Sequence, residues 1–519
     1  MRLDHRKGDP VSQNAASPTL DDMFRRIVAR EPGLMALIDP ADKMRITGQA
    51  PQRLTYAEAD RAIAALAAHF TAAGLPVNAV IAVQMPNCIE LFLTILAAHR
   101  AGLVVALLPQ LWRQAELTMA LNRTGARAIV TTSRIDGVNH ADLAMAAAAE
   151  AFSIRYVAGF GSNLPEGMAP LDDVMAAPPI IETAARQDSR RAAIVTFDVT
   201  AQGFRPIPRT HLHMAAGGLV LALESRLPQR ATLLSAMAPT SFAGLASSLV
   251  AWLLSGGTLA LHHPFDIEVL ERQINELGCD ALSIPAGLAM RLSEAGVLAG
   301  APRLQSVLAH WRTPEQVFSS PQWGEASAAL TDVYLFGEAG LLAARRPDNG
   351  APLPIKLGVH GVPREAASSS TAGETLLTSN GTLGLRGPMV PIAAYAPDAP
   401  SRMDIDSGPP DYVDTGYAAR TDRATGALCI TAPPPGIITV GGYRFLSQDL
   451  LEWAKRLGHG ALLTALPDKL SGYRLAGRAA DNSKAREALS ELGLNPLMVE
   501  AFRDSSSQAD ERQATLTVH

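Results

Sequence analysis

Apolar positions along the chain follow two alternating rhythms. Residues 54–74 place Ala, Ile, Leu and Phe at helical spacing and predict an Ala-rich amphipathic helix. The short apolar runs 80–85 and 103–108 predict buried strands, and between them 89–101 reads as a helix closed by Gly102. A further helix is expected near 114–124 and a strand over 128–130. Strand–helix–strand alternation with short glycine turns predicts a parallel sheet covered on both faces. The same rhythm returns across 192–290. From about 350 the pattern changes: Gly, Pro, Ser and Thr become frequent and helical spacing is lost until about 447. Short antiparallel strands in a barrel-like layer suit that stretch. Pro433-Pro434-Pro435-Gly436 reads as a semi-rigid boundary, followed by a small α+β unit.

At 519 residues, several domains are expected, and 48 % hydrophobic residues are enough for a large core. A net charge of −5 without a basic stripe argues against a nucleic-acid partner. Cys88, Cys279 and Cys429 stand apart, too few for a disulfide framework or a Cys-rich metal site, which suits a reducing cytoplasm. The polar start of the chain has no apolar core of a secretory signal. Residues 242–261 reach spanning length without a charge, but Ser255-Gly256-Gly257-Thr258 interrupts them. A buried helix, a turn and a buried strand are expected there rather than a membrane span. Lysine occurs only at Lys7, Lys43, Lys356, Lys455, Lys469 and Lys484, so a missing functional lysine is easy to see.

Several blocks, in order, carry a family likeness. They are LTYAEADRAIAALAAHF, MPNCIELFLTILAAHRAGLVVALLP and ELTMALNRTGARAIV, then SGGTLALHHPFDIEVLERQI, IKLGVHGVP, GTLGLRGP and ITVGGYRF. Together they resemble the adenylate-forming (AMP-binding) superfamily: acyl-CoA synthetases, peptide-synthetase adenylation domains and luciferases. The resemblance implies an α/β protein with a large N-terminal domain, made of two α/β subdomains plus a β-barrel-like subdomain, and a small α+β C-terminal domain. The expected division is a flexible lead over 1–20, the large domain over 21–432, a reduced C-terminal domain over 433–503 and a polar tail over 504–519. The implied chemistry is attack of a carboxylate on the α-phosphate of ATP, with Mg2+, then transfer of the acyl group to the thiol of CoA or a carrier protein.

The chemical motifs depart from the family pattern. Phosphoryl transfer needs cations and backbone donors around developing negative charge. Where the family has "TSGTTGxPKG", this chain runs from Thr196 through Thr200 to Arg205, with Asp198 at a glycine position. Arg205 takes the lysine position and is the candidate catalytic cation; Thr196 and Thr200 are candidate nucleotide contacts. The "YGxTE" motif becomes Phe336-Gly337-Glu338-Ala339-Gly340, leaving Phe336, Gly337 and Glu338 as candidates. "TGD" becomes Thr415-Gly416-Tyr417, and a phenol cannot chelate two ribose hydroxyls as a carboxylate does. The hinge motif is replaced by the proline run, and no lysine follows Lys484 to orient the reacting carboxylate. Gly441, Gly442 and Arg444 match the segment that flanks the thiol tunnel, and are candidate CoA contacts. His310 and Trp311 fall at the acyl-pocket turn, where they would narrow a pocket or plug an unused one. No metal-ligand set is expected.

Two main readings follow. The chain is an acid–thiol ligase of acyl or fatty-acyl metabolism, acting on a small carboxylic acid with weakened or altered ATP chemistry. Alternatively it is a pseudoenzyme that binds an acyl thioester, CoA, an acyl carrier protein or a partner enzyme. A third is a thioester-handling enzyme that skips adenylation.

Overall fold

The computed structural model describes residues 17–177, 188–263, 265–324, 328–361, 371–393, 395–396 and 411–503. Most of the expected N-terminal lead (1–16) and the expected tail (504–519) lie outside these residues.

The predicted strand–helix alternation forms as read. Helices Tyr56–Ala72, Ile89–Arg100 and Gln114–Thr124 alternate with strands Val80–Gln84, Val104–Leu107 and Ala128–Thr132. Thr55 starts the first of these helices, accepting from the Glu58 amide while Glu58 bonds back. These strands join Tyr156–Phe160 and Ala169–Pro170 in a parallel sheet. The strand Ala192–Thr200 adds in parallel beside Val104–Leu107, and Gly203–Thr210 folds back on it as the antiparallel edge. A second, eight-stranded sheet has a parallel centre with one antiparallel strand at each edge, Arg53–Thr55 and Leu341–Arg345. The uncharged stretch resolves into helix Phe242–Leu245, a π-helical turn, helix Ala251–Ser255 and strand Thr258–Leu261. Among the described residues no helix is long and apolar enough to cross a membrane.

Between Ile355 and Ala432, six strands of the described residues form an antiparallel sheet. Its end strands, Ile355–Lys356 and Gly358–Gly361, are neighbours in the chain yet pair at opposite edges, so the sheet curls round on itself as a barrel does. After the proline run come the hairpin Ile437–Val440/Tyr443–Leu446, the helix Ser447–Arg456 and the hairpin Leu462–Asp468/Gly472–Arg478. This small unit has its own core around Leu450, Leu463, Leu475, Leu489 and Phe502. It lies against the carboxyl ends of the parallel strands, where open α/β sheets place ligands.

Candidate functional site

The strand Ala192–Thr200 passes the end of its parallel neighbour and continues as half of a hairpin. Its register is unbroken from Thr196↔Ile207 through Asp198↔Arg205 to Thr200↔Gly203. Pairing holds this segment extended and commits alternate peptide groups to the neighbouring strand. A phosphate loop needs the opposite, a curved backbone whose N–H groups converge on one point. Arg205 is exposed on the outer strand, and the Thr200 hydroxyl donates to Gln202.

Asp198 is buried at the centre of the site. Its carboxylate accepts from the amide of Glu338 at 2.8 Å and from the Arg444 guanidinium at 3.1 Å. Arg444 comes from the C-terminal hairpin, and also donates to the Tyr417 hydroxyl at 2.8 Å. The Tyr417 ring meets Phe336 edge-on, 5.4 Å between centroids. Burial alone would lower the pKa of Arg444; Asp198 and the Tyr417 hydroxyl outweigh it, so the guanidinium is held charged above its ordinary value.

Gly337 fixes how close these groups come. Its φ is +58°, and a Cβ there would lie 2.2 Å from Arg444 Nη1 and 2.5 Å from Asp198 Oδ2. The space over Gly337 is filled by the ion pair. Glu338 is turned inward: its carboxylate accepts from the Thr196 hydroxyl at 2.6 Å and the Phe242 amide at 2.9 Å. Burial pushes its carboxyl up to about 7. Arg209, fully buried, donates to the carbonyls of Glu338 and Met389 and lies over the Phe242 ring. Of the expected nucleotide contacts, Thr196 and Glu338 are therefore bonded to each other, and Gly337 lies under the Asp198–Arg444 pair. A triphosphate with Mg2+ does not fit this arrangement. A carboxylate and its counter-ion stand where the resemblance would place a phosphate, and Glu338 is engaged by the Thr196 hydroxyl and the Phe242 amide. Among the described residues no cluster of three or more His, Cys, Asp or Glu side chains forms a metal site.

The other candidates are placed as follows. Thr415 donates to the Leu383 carbonyl. Gly441 and Gly442 make the hairpin turn, with Gly441 at φ +53°. His310 bonds Ser283 in the sheet core, and burial lowers its pKa to about 3. The Trp311 indole donates to Asp332, which Arg346 also holds. Neither His310 nor Trp311 lines the cleft described next.

That cleft, about 280 Å3, lies between the C-terminal unit and the large domain. Trp112, Phe197 and Phe204 pack together as one wall. Leu450, Trp453 and Met498 form the facing one. Two contacts tie the walls: the Leu111 amide donates to the Tyr443 hydroxyl, and the Asn495 amide to Glu116 Oε1 at 3.1 Å. Burial raises the Glu116 carboxyl to about 7. Sequence reading left these wall residues unassigned. The aromatic spacing at 112, 197 and 204 was the available signal, but nothing in the chain order brings Trp453 to it.

Residues 24–189 match the AMP-binding enzyme family. No curated protein matches the sequence. Among solved structures, the amide bond synthetase McbA from Marinactinospora thermotolerans is similar over 92 % of this chain and 94 % of its own, with TM-score 0.66 and 17 % identity. The o-succinylbenzoate CoA synthetase MenE from Bacillus subtilis is similar over 92 % of each chain, with TM-score 0.67 and 16 % identity. MbtA from Mycobacterium smegmatis is similar over 91 % of this chain and 88 % of its own, with TM-score 0.63 and 22 % identity.

Proposed function

We propose that this chain, which has the adenylate-forming enzyme fold and AMP-binding family sequence over residues 24–189, is a relative that does not activate acids with ATP and instead binds an acyl or thioester ligand at its domain interface. The observation that carries this reading is the Asp198–Arg444 ion pair seated over Gly337. Asp198 would repel a triphosphate whenever Arg444 withdrew, and Arg444 fills the site whenever it is in place. Both states disfavour the nucleotide. Losing a single charge-stabilising donor typically costs about 10²–10³ in rate, and here the lysine-position cation Arg205 is exposed and the Thr200 hydroxyl is turned to its own hairpin.

The thiol side is better kept. Gly441 and Gly442 form a hairpin turn along the interdomain cleft, so CoA, an acyl-CoA or an acyl carrier protein remains a partner in this reading. Cytoplasmic acyl metabolism is the setting it suggests, as scaffold or regulator.

ATP–pyrophosphate exchange tests the proposal. With Mg2+ and a panel of aliphatic and aromatic acids, exchange is expected to stay at background, with or without CoA. Acid-dependent exchange that Arg205→Ala abolishes would show a working adenylation site and overturn the reading.

A further inference from the structure

One edge of the eight-stranded sheet is the strand Leu341–Arg345, which meets Ala329–Leu335 through five consecutive antiparallel pairs without a bulge. Just beyond the two ends of this ladder, the Phe336 amide donates to the Gly340 carbonyl at 3.1 Å and the Arg346 amide to the Leu330 carbonyl at 2.8 Å. Hydrogen-bonded pairs alternate along an antiparallel ladder. Leu342 and Ala344 therefore bond into the sheet, and the main-chain groups of Leu341, Ala343 and Arg345 point outward. The Glu224 carboxylate takes the Arg345 amide. The amides and carbonyls of Leu341 and Ala343 have no hydrogen-bond partner among the described residues.

These groups border a groove of about 300 Å3. Val220 and Glu224, on the helix His211–Glu224, form one wall; Leu353, Val359 and His360, at the start of the six-stranded sheet, form the other. Exposed strand edges are usually blunted by a charge, a proline or a bulge, and Leu341-Leu342-Ala343-Ala344 has none of these. The charges around the groove do not cancel. Arg226 and Arg345 face Glu224 and Asp348 at one end of the strand. His360 bonds the Thr375 hydroxyl, and burial holds its ring neutral. Lys356, on the barrel-side wall, is left without an ion-pair partner among the described residues.

We infer that this groove takes an extended peptide segment of a partner protein, which adds as a further strand beside Leu341–Arg345 and sets an acidic side chain against Lys356. Main-chain bonds to Leu341 and Ala343 hold the segment, and its alternate side chains meet the apolar walls. An apolar small molecule would cover these amides and carbonyls without bonding them, which buried main chain does not tolerate. Walls on both sides admit one extended segment rather than the edge of a second sheet with its own covering layers. The groove shares no lining residue with the interdomain cleft, so the inference goes beyond the proposed function and does not depend on whether ATP binds.

The experiment is fluorescence anisotropy with the full chain. The probe is a fluorescein-labelled, amide-capped heptapeptide, Glu-Thr-Val-Thr-Val-Thr-Glu; its counterpart carries Lys at both ends. Saturable binding below about 1 mM is expected for the acidic peptide. N-methylation of two residues in one alternate set should weaken it about tenfold or more, since each methyl removes a main-chain donor. The same change in the other set should cost less than about threefold. The acidic peptide should bind about two- to fivefold more tightly than the basic one, and Lys356→Gln should remove that preference. Ala343→Pro deletes an amide that the sheet itself does not use, so it should abolish binding and leave the far-ultraviolet circular dichroism unchanged. The methylated peptides need no variant to fold. No binding of the acidic peptide, equal losses from the two methylated sets, or a charge preference that survives Lys356→Gln would each overturn the inference. So would self-association in sedimentation that Ala343→Pro abolishes, because a second copy would then occupy the edge.

Discussion

Replacing Arg444 by methionine is expected to loosen the C-terminal unit from the large domain and to cost about 3 kcal/mol of stability. The cost comes from Asp198, which is buried and loses its only ion-pair partner among the described residues, and from the Tyr417 hydroxyl, which loses its donor. Breaking one half of a buried pair typically costs about 3–5 kcal/mol, because the remaining charge stays desolvated. The lower end applies here, since the Arg444 side chain keeps 12 % of its exposure. Urea denaturation measures the loss. Proteolysis around 433–436 and a larger radius of gyration in solution scattering measure the loosening. Adding Asp198→Asn to Arg444→Met should recover a large part of the loss, because no charge is then stranded. Equal stability and equal compactness in Arg444→Met would show that the ion pair does not hold the two units together.

The second large effect is expected far from the cleft. Lys43 is fully buried, with its ammonium 2.7 Å from Asp39 and 2.5 Å from Glu90. Asp39 also accepts from the amides of Gln52 and Ile89, so the triad joins the end of the strand Met35–Ile38, the short helix Lys43–Thr47 and the start of the helix Ile89–Arg100. Lys43→Met leaves two facing carboxylates in the core and should cost about 4 kcal/mol or more at pH 8. Burial, and then Glu90, already raise Asp39 to about 6 despite Lys43. Without the lysine the folded chain holds a proton there more tightly than the unfolded chain does. Stability of the variant therefore falls as pH rises from the unfolded value near 4 through the raised folded value. The deficit should be clearly smaller at pH 5 than at pH 8. Equal deficits at the two pH values would mean that the loss comes from packing rather than from charge.

Local pattern carried the fold. Helix and strand bounds near 56–72, 80–84, 89–100 and 114–124 follow from apolar spacing, and Gly102 and Gly125 take the positive φ that ends their helices. The change of texture at about 350 marks the antiparallel sheet, and helical spacing returns at Ser447 as the periodicity indicated. The site was legible only as a set of departures. Asp198 stood out as a charge beside an expected phosphate, and Arg444 as a companion of two glycines. The bond between them spans 246 residues, and no local spacing encodes it. Trp311 shows the same limit. Its bulk suggested that it narrows a pocket or plugs an unused one; that the indole donates to Asp332 on the neighbouring strand was not legible in the sequence. Arg312, one residue on, reaches the cleft. Residue type at a motif position showed where the chain departs from the family pattern. The contacts made there by the C-terminal hairpin, Arg444 over Gly337 and against Asp198, came only with the structure.

The central claim is that the protein's own side chains fill the nucleotide site. Calorimetric titration of the full chain with ATP and Mg2+ tests it most directly. No saturable heat up to millimolar ATP is the predicted result. Saturable micromolar binding that Arg205→Ala abolishes would contradict it, because the exposed outer strand of the hairpin would then have to rebuild a phosphate site around the ion pair.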